Sequence, residues 1–140
     1  MPEESTTPHL VELTRGLLEA ANRQDIHAVM SLYAPAAVFD LSDAALGVFE
    51  GAPAIGAFLH GWWGTWENFA LRGEEIADLG HGVVLSTIHE EGGVAGGDGR
   101  VEQRRGWVIL WTQGVITRAT AYLDIDEARA VAEQLAESRG

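Results

Sequence analysis

A chain of 140 residues, 46% of them hydrophobic, is the size of one ordinary domain and apolar enough to fold around a core. Its net charge of −12 repels phosphate backbones and anionic lipid, which argues against nucleic-acid and membrane partners. The lack of cysteine excludes disulfides, thiolate catalysis and cysteine-ligated zinc. No apolar run nears the roughly 18 to 20 residues that span a bilayer. The start is acidic where a secretory signal is basic, so a cytoplasmic location is expected.

Residues 1–8, with Pro2 and Pro8, read as a loose arm ahead of a single domain over 9–137. Leu10, Leu13, Leu17 and Ala21 have helical spacing. Asp25 can cap a second helix carrying Ile26, Val29, Met30 and Tyr33 on one side, which Pro35 ends. AVFDL, 37–41, reads as a short strand, and 42–51 as a loop. Pro53 suits the first turn of a third helix. Its apolar stripe runs through Ile55, Phe58, Leu59, Trp62, Trp63 and Trp66. From Asn68 the period changes to two, and strands are predicted over 69–79, 83–91, 100–112 and 115–123, separated by glycine turns. DIDEARAVAEQLAE closes the chain as a helix, with Asp124 and Glu127 spaced as a capping box. The fold class is α+β, with helices against one curved antiparallel sheet.

Several stretches resemble the SnoaL-like branch of the NTF2-like superfamily. They are QD at 24–25, LYAPAAVFD at 32–40, FEGAPAIGAFL at 49–59 and, most specifically, WTQGVITRATAYLDIDEARAVAEQL at 111–135. The resemblance spans residues 9–136 and implies a cone, a curved sheet wrapped around helices with a pocket between them. That fold hosts isomerases, cyclases, hydrolases, dehydratases and plain binding modules, so it does not fix an activity.

Known chemistries of the family can be tested residue by residue. The ketosteroid isomerase branch places its oxyanion tyrosine at Leu17, its base at Leu41 and its protonated aspartate near Gly106; none is kept. Asp40, one residue from the base position, remains a candidate, against the plainer reading of an edge carboxylate. The limonene-epoxide hydrolase set falls on Thr87, His89 and Ala121 and is absent. His89 is nonetheless the acid/base candidate that remains, because histidine as a residue type titrates near neutrality. If 83, 85, 87 and 89 face into the cone, so do Arg104 and Gly106 on the next strand and Ala119 and Ala121 on the last. Arg104 would then bind an anionic group or form a salt bridge at the mouth, and the small residues would leave space. Tyr33, Phe58, Trp62, Trp66 and Thr87 complete the expected pocket lining; for the tryptophans the competing reading is core packing.

The same parity turns Trp107, Ile109, Trp111 and Tyr122 outward, an apolar patch that predicts a homodimer through the sheet. Reversed parity would make the tryptophans core and pocket residues instead. No HExxH or other paired-ligand spacing occurs, so neither a metal nor a cofactor is expected. The expected function is binding of a small hydrophobic molecule with acid/base chemistry on it. The alternatives are a pocket without catalysis or a dimeric interaction module.

Overall fold

The computed structural model describes residues 9–140; the expected N-terminal arm lies outside them. The order is α1 (Leu10–Asn22), α2 (Ile26–Met30), β1 (Tyr33–Asp40), β2 (Val48–Glu50), α3 (Ala52–Gly64), β3 (Trp66–Gly80), β4 (Val83–Val94), β5 (Arg100–Thr112), β6 (Val115–Tyr122) and α4 (Ile125–Arg139). The strands form one six-stranded sheet in the order β2-β1-β6-β5-β4-β3. All pairs are antiparallel except β1 with β6, which run parallel.

Local chemistry accounts for most boundaries. The Asp25 carboxylate accepts a hydrogen bond from Ala28 N at 3.1 Å and starts α2. That helix is shorter than its apolar spacing suggests, because Pro35 disfavours a helical residue before it and the chain is already extended at Tyr33. The segment 42–51, expected to be loop, contains a 3-10 turn at Ser42–Ala44 and the edge strand β2. Helix α3 ends at Gly64, with Thr65 as its cap, so Trp66 opens β3 rather than extending the helical stripe. The β3–β4 and β5–β6 hairpins turn on His81–Gly82 and Gln113–Gly114. All four residues have positive φ, as the twist-matched two-residue turn requires. Register irregularities at Glu67/Ala70, Gly73/Glu75 and Asp78/Gly80 bend β3, and such bulges curve a sheet.

Helices cover both faces of the sheet. On the concave side α1 and α3 close over a core that includes Leu17, Phe39, Ile55, Trp63, Ile109 and Trp111. On the convex side α4 lies on Val83, Leu85 and Val108 through Ala128, Ala132 and Ala136. The Asp124 carboxylate starts α4, accepting from Asp126 N at 2.9 Å and Glu127 N at 3.3 Å.

Candidate functional site

The concave side holds a cavity of about 80 Å³. Helix α1 contributes Leu17, Leu18 and Ala21 to its wall, and α3 contributes Phe58, Leu59, Trp62 and Trp63. Tyr33 and Phe39 come from β1, Ser86, Ile88 and Glu90 from β4, Arg105, Trp107 and Ile109 from β5, and Ala119 from β6. Aromatic rings form a chain along this wall. Phe39 lies 5.1 Å from Trp107 and 6.0 Å from Phe58, and Phe58 stacks on Trp62 at 6.0 Å, ring centre to ring centre. Trp66 meets Trp62 edge-on at 5.7 Å. It supports the wall from outside without lining the space.

The polar groups of the wall are few and buried. Glu90 and Arg105 sit diagonally across the β4–β5 ladder, Arg105 Nε 3.5 Å from Glu90 Oε1, with side chains 9% and 7% exposed. Gln103 Nε2 donates to the same Glu90 oxygen at 3.0 Å. The Arg105 guanidinium also lies 5.6 Å from the centre of the Trp62 ring, within cation–π range. Burial pushes the Glu90 carboxyl above the ordinary glutamate value, and the Arg105 charge and the Gln103 hydrogen bond pull it part of the way back. Burial likewise raises the pKa of the Tyr33 phenol, which stays neutral. Among the described residues, two buried donors of the wall, Ser86 Oγ and Arg105 Nε, have no hydrogen-bond partner. An unpaired buried donor costs free energy unless a ligand or water completes it.

The faces of β4 and β5 are the reverse of those expected from the sequence, whereas on β6 Ala119 and Ala121 face inward and Tyr122 outward as expected. Residues 86, 88 and 90 face the cavity, with 105, 107 and 109. His89, Thr87, Arg104 and Gly106 therefore point to the convex side. Trp107, Ile109 and Trp111, expected at a dimer interface, belong to the concave core, and Tyr122 packs in the α4 cluster. The centre of the convex face that was to pair two chains is occupied by α4. Tyr33, Phe58, Trp62 and Ala119 do line the cavity; Ala121 is buried beside it in the core. Asp40 points away from Phe39 and is held by Arg118 Nη2 at 2.8 Å and by Ser42. These contacts lower its pKa, the Ser42 hydrogen bonds most. Arg104 is bound to Glu74 at 3.0 Å on the convex side. Glu90, Arg105 and Ser86 were not singled out from the sequence. A charged pair inside strands that carry no other charge on that face was the signal that could have found Glu90 and Arg105.

A curved, unclosed sheet wrapped around helices, with an apolar cavity holding a few polar groups, defines a cone-shaped α+β class of fold. The chain belongs to the family of SnoaL-like domains, whose model matches residues 14–119. No curated protein of matching sequence was found. Solved structures share the fold at low identity. A Catenulispora acidiphila protein with a ketosteroid isomerase-like fold, in complex with trimethylamine, is 16% identical with a TM-score of 0.71, over 85% of this chain and 90% of that one. An LEH-like epoxide hydrolase of M. tuberculosis is 16% identical with a TM-score of 0.68, over 91% of each chain. TerC, co-crystallised with polyporic acid, is 16% identical with a TM-score of 0.70, over 88% of this chain and 97% of its own. Among the described residues no helix is long and apolar enough to cross a membrane.

Proposed function

We infer that the protein binds a small, largely apolar molecule bearing an oxygen acceptor in the cone, and that Glu90 moves a proton on it. The observation that carries this reading is the pairing of an apolar wall with a buried carboxyl, an unpartnered Ser86 hydroxyl and an Arg105 Nε whose contact with Glu90, at 3.5 Å, falls short of a hydrogen bond. The wall would exclude water from the ligand's body. Ser86 Oγ and Arg105 Nε would donate to its oxygen and stabilise negative charge developing there. A carboxyl raised by burial exchanges its proton closer to neutral pH than an ordinary glutamate, which suits a general acid or base. The cavity is small beside the roughly 300 Å³ and more of drug-sized sites. The ligand is therefore compact, or the wall opens to admit it. The related structures bind trimethylamine and polyporic acid, which supports small-molecule occupancy of this fold without naming this chain's ligand.

A second reading is favoured by one contact: Glu90 Oε1 is already engaged by Gln103 and approached by Arg105, so the carboxylate can serve only to anchor Arg105. One experiment separates the two. A thermal-shift screen of small ketones, epoxides and phenols identifies a binder, since a ligand of the native state raises the melting temperature with its concentration. Turnover of that ligand is then followed in the wild type and in Glu90→Gln. Binding kept with turnover lost in Glu90→Gln supports proton transfer. Turnover kept in the variant overturns it, and binding with no turnover in the wild type leaves the pocket reading.

A further inference from the structure

On the convex face, away from the cavity, we propose a divalent transition-metal site of the zinc class formed by His89, Glu91 and Glu102. His89 and Glu91 stand two residues apart on β4 and so point to one side; Glu102 is the direct cross-strand partner of Glu91 on β5. One ligand atom from each lies within 4.8 Å of the others. One imidazole and two carboxylates make a donor set that zinc and its neighbours accept, with a fourth position open to water.

The imidazole is the independent observation. Its side chain is only 10% exposed, yet among the described residues its ring makes no hydrogen bond. Its Nε2 instead points at Glu102 Oε1 from 3.4 Å. That separation is long for a charge-assisted hydrogen bond, whose mode is below about 2.9 Å. It matches two ligands of one tetrahedral ion, which sit roughly 3.3 to 3.5 Å apart for bonds of about 2.0 to 2.2 Å. Glu91 needs a smaller movement than a loop would, because the ladder already fixes its backbone.

The neighbouring cations leave room for the ion. Arg104 is held by Glu74 at 3.0 Å, and Arg72 approaches the same glutamate at 4.0 Å. Arg100 comes within 3.7 Å of Glu91 but is 62% exposed and can swing into solvent. A bound ion would clip β4 to β5 beside the glycine-rich hairpin at 92–99.

The test is calorimetric titration of the metal-free full chain with Zn2+ and, separately, Mg2+, in the wild type, Glu102→Gln and His89→Ala. Glu102 is 70% exposed, so Glu102→Gln keeps the fold and remains informative even where His89→Ala is unstable. The expected result is one Zn2+ per chain, weakened at least tenfold in Glu102→Gln, with Mg2+ bound much more weakly because it disfavours imidazole. Zn2+ affinity unchanged in Glu102→Gln would place binding on the other histidines and overturn the site. So would the absence of saturable Zn2+ binding, or Mg2+ binding as tight as Zn2+. None of these outcomes depends on what occupies the cavity.

Discussion

The two faces of the sheet use side-chain size in opposite ways. The concave face carries the bulkiest residues, Trp62, Trp63, Trp107 and Phe39, and retains a cavity. On the convex face Gly106 and the alanines of α4 bring helix and strand into close contact: a Cβ on Gly106 would come 2.5 Å from the Cβ of Ala128. Rigid rings that meet edge-on and tilted cannot fill the space between a curved sheet and two helices. Small residues let α4 settle directly on the strands. Void and close approach are thus the reverse of what size alone suggests.

Removing a ring should have the largest effect. Trp107→Ala is expected to cost about 3 kcal/mol in chemical denaturation and to enlarge the cavity, since truncation of large aromatics leaves unfilled space. A cost below about 1 kcal/mol would mean that the concave wall collapses, and the cavity would not be a built feature. A matched pair of additions sharpens the contrast. Gly106→Ala should cost about 2 kcal/mol, because the contact is with a helix and not with a flexible side-chain tip. Ala119→Val adds methyl groups on the cavity side and should cost less than about 1 kcal/mol while weakening ligand binding. Equal costs at the two sites would contradict the difference between the faces.

Which face was which could not be read from the sequence, for a physical reason. Strand β4 is buried at every position from Val83 to Glu90, because helices cover it on both sides. A strand covered twice loses the polar/apolar alternation that reports its orientation. The strands, the hairpin turns and the Asp124 cap were legible because local chemistry sets them. The Glu90–Arg105 pair was not, because its meaning depends on strand parity. His89 was prominent as the acid/base candidate of the cavity, but its neighbours are the carboxylates of the convex face. Gly106 was read as space, whereas the closing helix, with alanines at 128, 132 and 136, was the clue that something packs closely there.

On the α4 side, Asp124→Ala should remove two cap hydrogen bonds and cost about 1 kcal/mol, leaving ligand binding in the cavity unchanged. Loss of binding in that variant would show that α4 also shapes the cavity through the sheet, and the faces would not be independent.

The smallest effect tests the cavity's charge. Burial holds the Glu90 carboxyl above its ordinary value of 4.5 in the folded chain. The native state therefore holds this proton more tightly than the unfolded chain does. Stability from that preference is fully present below the unfolded value and is lost as pH rises through the native one. Glutamine does not titrate, so the stability of the wild type relative to Glu90→Gln should fall as pH rises from about 4.5 toward neutrality. Denaturant titrations at closely spaced pH values measure it. A flat difference would mean that Arg105 and Gln103 fully offset the desolvation, leaving Glu90 as ionised as a surface carboxylate. A rising one would mean that they outweigh it. Either result would remove the proton from the acid/base reading and leave Glu90 as the anchor of Arg105. A falling difference would keep a protonated carboxyl available inside an apolar wall, the condition that proton transfer to a bound ligand requires.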